Sequence, residues 1–160
     1  MREVRNRIWK IVMVFLIALC VLLVVLKLFG VYVVFVKGDS MMPTIHDGQL
    51  FIATKIDPNE IEREDIITAR LETGDGTKLI TKRVIGLPGQ HICVGYSNVF
   101  VDGKLYADDY LMKQGWNDFG EFDISLTLGP DEFYLMGDNR EKSWSGVVKK
   151  DDILMRMILK

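Results

Sequence analysis

The sequence predicts a mainly β domain preceded by one membrane-spanning helix. Three observations lead to that class. An apolar run lies near the N-terminus, a succession of short β-prone segments separated by turn residues follows it, and no long amphipathic helical pattern occurs after residue 37.

Ile11–Leu26 is sixteen residues without a charge, about 24 Å of helix against a hydrocarbon core roughly 30 Å thick. Extension to Gly30 gives twenty residues and takes in Lys27, whose ammonium can snorkel to the interface. Residues 1–36 carry Arg2, Arg5, Arg7, Lys10 and Lys27 against the single acid Glu3, a net +4, whereas the rest of the chain holds 15 basic and 21 acidic residues. This asymmetry points to membrane topology rather than nucleic-acid binding, with the basic head kept in the cytoplasm. The expected organisation is a cytoplasmic head over residues 1–10, a transmembrane anchor over 11–30 and an extracytoplasmic β-rich domain over 31–160, with the lipid bilayer as a partner. A cleavable signal peptide shares the basic start and apolar run. No small-x-small site closes this run, however, and the bulky Leu19 before Cys20 argues against lipoprotein-type cleavage.

Gly30 breaks the helical run, and the β-branched and aromatic stretch Val31–Val36 reads as the first strand. Further strands are expected at Leu50–Lys55, Ile66–Leu71, Leu79–Ile85, Asn98–Val101, Lys104–Tyr106, Glu132–Met136 and Ile153–Ile158. Turns are expected at Asp47-Gly48, Asp57-Pro58-Asn59, Asp75-Gly76, Pro88-Gly89 and Asp102-Gly103. Asp75-Gly76 and Asp102-Gly103 suit tight hairpins because glycine accepts positive φ. Cys20 in the apolar run and Cys93 in the polar part are poor partners for a disulfide and read as two small buried thiols.

Three segments stand out as carriers of chemistry: Gly38-Asp39-Ser40-Met41-Met42-Pro43-Thr44, Lys82-Arg83-Val84-Ile85-Gly86-Leu87-Pro88-Gly89 and Gly137-Asp138-Asn139-Arg140-Glu141-Lys142-Ser143. Each alone has an ordinary explanation, as a turn serine, a solvated strand lysine or a loop. His46-Asp47 does not make a triad with a serine, because adjacent residues on a turn rarely orient each other as a triad requires. His91 lacks partners at metal-ligand spacing, and no Gly-Lys-Ser/Thr follows the glycines of 86–89, so neither a metal nor a phosphate loop is implied.

In combination, the order, spacing and membrane-proximal placement of these segments resemble the bacterial type I signal peptidase (leader peptidase) family over nearly the whole chain. Ser40-Met41-Met42-Pro43-Thr44 is similar to the family's nucleophile segment, Lys82-Arg83-x-x-Gly86-x-Pro88-Gly89 to its general-base segment, and Gly137-Asp138-Asn139-Arg140-x-x-Ser143 to its supporting segment. Lysine rather than histidine at 82 fits the bacterial branch, and the short stretch between Lys82 and Gly137 resembles the compact Gram-positive form. The resemblance implies an antiparallel β-sheet catalytic domain, a Ser40–Lys82 dyad, no cofactor, and signal peptides of secreted preproteins as substrates, cut at small-x-small sites. It further implies an Arg83–Asp138 ion pair, a hydrogen bond from Ser143 to Lys82, and an oxyanion bound by the Ser40 N–H. Gly38 stands where some members place a second, hydroxyl donor. Met41, Met42 and Pro43 are candidates for part of the substrate-binding wall.

The chemistry asks for these residue types. A serine hydroxyl attacks only when a base takes its proton, and a lysine can do so only when neutral. From about 10.4 its pKa would have to fall about two units, roughly 3 kcal/mol, which burial among apolar neighbours can supply. Strand alternation would turn Arg83 to the opposite face. One departure stands out. The family continues Ser-x-Asp-Ser-Arg, whereas this chain reads Ser143-Trp144-Ser145-Gly146-Val147, so the bracing aspartate and arginine are absent in that register. Packing of Trp144 and Val147 is expected to fill their space. The alternatives are a specialised peptidase devoted to pilins or another narrow substrate set, a catalytically impaired scaffold of the same fold, and a self-cleaving repressor protease. The anchor and the lack of a DNA-binding helical domain oppose the last, and retention of both Ser40 and Lys82 opposes the scaffold.

Overall fold

The computed structural model describes residues 2–95, 98–106 and 122–158. Helix α1 (Arg2–Leu28) has a mean hydropathy of 3.2 over its most apolar window and buries none of it against the protein, so it is long and apolar enough to cross a membrane. It begins inside the basic head, nine residues before Ile11, because nothing in Arg2–Lys10 breaks a helix. Gly30, at a φ of 72°, closes it with an N–H donated to the Lys27 carbonyl at 3.0 Å.

Among the described residues eleven antiparallel strands follow: β1 (Val31–Phe35), β2 (Leu50–Thr54), β3 (Ile66–Thr73), β4 (Gly76–Gly86), β5 (His91–Gly95), β6 (Val99–Val101), β7 (Lys104–Tyr106), β8 (Phe122–Thr127), β9 (Glu132–Met136), β10 (Gly146–Lys149) and β11 (Ile153–Met157). They form a seven-stranded sheet, ordered β1-β2-β11-β3-β4-β9-β10, and a four-stranded sheet, ordered β7-β6-β5-β8. The mainly β fold expected from the sequence is therefore present. Strands β5, β8 and β10 were not anticipated, since each is short and carries polar or glycine residues that dilute a β signal. Asp102 and Gly103, at φ of 52° and 75°, form the expected two-residue turn between β6 and β7. In the β3–β4 hairpin the register pairs Thr73 with Gly76, so the loop is Gly74-Asp75 and Gly76 already belongs to the strand.

Among the described residues three apolar clusters hold the sheets. One packs Ile67, Ala69, Val84, Leu135 and Ile153 on one face of the large sheet. A second joins the sheets, with Ile85, Tyr134 and Met136 of the large one against Ile92, Val94, Val99 and Val101 of the small one. The third gathers Val36, Met41, Ile45, Ala53, Ile66 and Met157 under the turn that follows β1. At the crossing between the sheets Gly86 is required, because a Cβ there would come within 2.8 Å of Ile92 and Leu128 side-chain carbons.

Candidate active site

Strand β4 lies inside the large sheet and sets the site. Its residue 82 pairs with Ile67 and its residue 83 with Ile66 on β3, so the two cations project to opposite faces. Lys82 is 4% exposed and Arg83 5%. The turn bearing Ser40 is held against this strand from below. Met41 and Ile45 are fully buried in the third cluster, and Ile45 N–H donates to Met41 O at 2.9 Å. Ser40 thereby reaches Lys82: Nζ lies 2.6 Å from Ser40 Oγ, across 42 residues of sequence. Burial lowers the Lys82 pKa from 10.5 to about 8, and the Asp138 carboxylate opposes part of that fall. A lysine with that value is neutral in a useful fraction of molecules near neutral pH.

On the other face Arg83 grips Asp138, with Nε at 2.8 Å from Oδ1 and Nη2 at 2.6 Å from Oδ2. Asp138 is 1% exposed, and Thr44 Oγ1 donates to its Oδ2. Arg83 Nη1 also donates to the Glu64 carbonyl at 3.0 Å. This buried, bidentate pair fastens the β4 end, the Ser40 turn and the segment after β9 into one unit. Asn139 continues the same join: its N–H donates to Ser40 O and its Nδ2 to Asp39 O, each at 3.1 Å.

The structure corrects one contact expected from the sequence. Ser143 lies beside Gly137 and the Ser40 carbonyl, but its hydroxyl donates to Trp144 O at 3.0 Å, and Lys82 bonds only Ser40 among the described residues. The hydroxyl proton is spent on the adjacent main chain. Trp144 lays its ring against Gly146, and Tyr134 OH donates to Ser145 Oγ at 3.4 Å, so packing and one weak bond occupy the segment that lacks the aspartate and arginine. Met41 points into the core and offers no surface to a substrate, whereas Met42 is partly exposed and Pro43 exposed.

Sequence reasoning placed Thr44 and Asn139 within the matched segments without giving either a role, and it missed Asp47 as a part of this unit. Asp47 was weighed only as a turn residue and as a partner for His46. In the structure its Oδ1 accepts the Gly38 N–H at 2.6 Å, holding that residue at a φ of 98° two positions before Ser40. A carboxylate nine residues beyond a glycine-containing turn carries no sequence signal for such a bond.

Comparison with known proteins identifies the family. The family model described as "Signal peptidase, peptidase S26" matches residues 8–159. A signal peptidase I from Bacillus caldolyticus is 34% identical, covering 96% of this chain and 88% of its own length. The signal peptidase I P of Bacillus subtilis subsp. natto is 34% identical over 79% of this chain and 74% of its own. A crystal structure of a signal peptidase I from Enterococcus faecalis superposes on 59% of this chain and 93% of its own, at 23% identity and a TM-score of 0.48. The chain belongs to the signal peptidase family, peptidase S26, and is a serine endopeptidase.

Proposed function

We propose that this enzyme removes N-terminal signal peptides from secreted preproteins at small-x-small sites, with Ser40 as nucleophile and Lys82 as general base. The observation that carries the reading is the 2.6 Å approach of Ser40 Oγ to a buried lysine whose pKa lies near 8. Neutral Lys82 takes the Ser40 proton as Oγ attacks the scissile carbonyl, then returns it to the leaving amine, which yields an acyl-enzyme on Ser40. Lys82 next activates water to hydrolyse that ester. The Ser40 N–H is directed at the developing oxyanion. Strand β4 pairs with β9 only from Arg83 onward, so its edge over 77–81 meets no described strand on that side. A substrate segment added there would lead its scissile bond to the dyad.

The same reading places α1 in a bilayer, with the basic head inside and the β domain outside. Exposed apolar residues after the helix support it: the register Val33↔Ile52 and Phe35↔Leu50 gathers four of them on one face of β1 and β2, and Phe29, just after α1, is exposed as well. The test is to incubate the detergent-solubilised protein with a preprotein carrying an Ala-x-Ala site and map the new N-terminus by mass spectrometry. Cleavage after that site is expected, with loss of several orders of magnitude in Ser40→Ala and Lys82→Ala and little further loss in the double variant. Near-normal activity in either single variant overturns the dyad.

A further inference from the structure

We propose that Asn139 is a positioning residue that aims the Ser40 N–H at the oxyanion, an inference that rests on Ser40 being the nucleophile. The Asp39 carbonyl and the Ser40 N–H belong to one peptide unit, which is planar and trans, so the two groups point in opposite directions. Asn139 Nδ2 donates to that carbonyl at 3.1 Å, and Asn139 N–H donates to the carbonyl of the next unit, Ser40 O, at 3.1 Å. One residue thus holds both peptide planes that flank the nucleophile. With its carbonyl turned towards Asn139, the first plane must present the Ser40 N–H away from Asn139, and no described residue accepts that N–H.

Without this hold the plane has few restraints. Gly38 stands immediately upstream at positive φ, tied by Asp47 but intrinsically permissive. The Asp39 carbonyl would keep only the Met42 N–H, at 3.2 Å. The demand on this amide is also high, because Gly38 offers no hydroxyl to share the oxyanion. A donor on the carbonyl side polarises the peptide and strengthens the N–H as a donor. Asn139 therefore acts on the transition state through Ser40, without touching substrate and without a hydrogen bond to Lys82.

Deleting an oxyanion donor outright costs about 100–1,000-fold in kcat, so misaiming one should cost on the order of 10–100-fold. The experiment compares wild type, Asn139→Ala, Asn139→Asp and Ser40→Ala by steady-state cleavage of an Ala-x-Ala preprotein across pH, with melting temperatures measured alongside. The expected result is a kcat loss of that size in Asn139→Ala and at least as large in Asn139→Asp, where an acceptor replaces the donor. In both variants KM should stay within about twofold, and in Asn139→Ala the pH midpoint should not move, since the base is untouched. A kcat within twofold of wild type, a loss carried by KM, a displaced pH midpoint in Asn139→Ala, or a loss explained wholly by a smaller folded fraction would each overturn the assignment. Should Asn139→Ala not fold, Asn139→Asp, of the same shape, is read by its kcat, KM and folded fraction, because its new carboxylate would itself raise the Lys82 pKa. Wild-type cleavage by Ser40→Ala would instead remove the dyad itself, so the two failures are distinct.

Discussion

A lysine kept near pKa 8 by burial destabilises the fold that holds it, and Lys82→Met should expose the size of that effect. The folded pKa lies below the unfolded one, about 8 against 10.5. The unfolded chain therefore binds more protons between these values, and stability rises with pH through that window. Below about pH 8 the lysine is charged in both states and the penalty is fully present. The 2.5-unit difference corresponds to about 3 kcal/mol at pH 7 and falls to roughly 1 kcal/mol at pH 10. Methionine has similar length and no charge. Its cost is the lost bond to Ser40 Oγ, about 1 kcal/mol. Lys82→Met should thus be inactive yet more stable than wild type by about 2 kcal/mol at pH 7, with the advantage gone by pH 10. Urea unfolding at both pH values measures it, and groups that titrate in both proteins cancel in the difference. With m near 1–3 kcal/mol/M, the pH 7 midpoints should differ by about 1 M. Equal stability at pH 7, or a gap unchanged at pH 10, would refute desolvation as the source of the lowered pKa.

The same value predicts that wild-type kcat/KM rises about tenfold per pH unit below pH 8 and levels above it, read from preprotein cleavage at low substrate. Asp138→Asn should lower the melting temperature, since it removes the buried, bidentate partner of Arg83 and leaves the half-exposed Glu64 carboxylate, 3.8 Å away, as a weaker counter-charge; the cost should approach the roughly 3–5 kcal/mol of a broken buried pair. Because the Asp138 charge raises the Lys82 pKa, whatever activity survives should have its pH limb moved below 8. Gly137→Ala should abolish most cleavage while the chain stays folded by circular dichroism, because a Cβ there would overlap Ser143 Oγ and the Ser40 carbonyl. A Gly137→Ala enzyme with more than about a tenth of wild-type kcat would show that the Ser40 turn yields to crowding.

The centre of the fold was legible because β4 announces itself: Leu79–Ile85 is apolar or β-branched apart from Lys82 and Arg83, and the structure extends it only to Gly76 and Gly86. Strand β8 alternates apolar and polar residues over Phe122–Thr127, but its Asp123 and Ser125 were outweighed in a purely compositional reading. Ser40 and Lys82 were found through the resemblance. Periodicity could say that Lys82 shares a face with Ile80 and Val84, but not that a turn 42 residues earlier would meet it. The Ser143 hydroxyl illustrates what was hidden. Its choice of the Trp144 carbonyl over Lys82 depends on one side-chain torsion, which no spacing encodes. Met41 was misplaced for a related reason, since a methionine beside the candidate Ser40 reads equally well as a pocket wall or as a peg in the core.

The junction after α1 carries a mechanical consequence. Lys55 N–H donates to Gly30 O at 2.9 Å, so the chain two residues beyond the helix is stitched to the residue that follows β2 and no flexible spacer intervenes. Ser40 lies ten residues after Gly30, and five of the nine residues between them are locked in β1, which bounds the reach of Ser40 from Gly30 at about 36 Å even if the chain were fully extended. For a helix seated in a bilayer this is a short, stiff leash. An enzyme so placed could not pursue a scissile bond that floats far from the membrane surface. It would meet substrates in a thin layer where both partners are confined, and local concentration there would substitute for affinity.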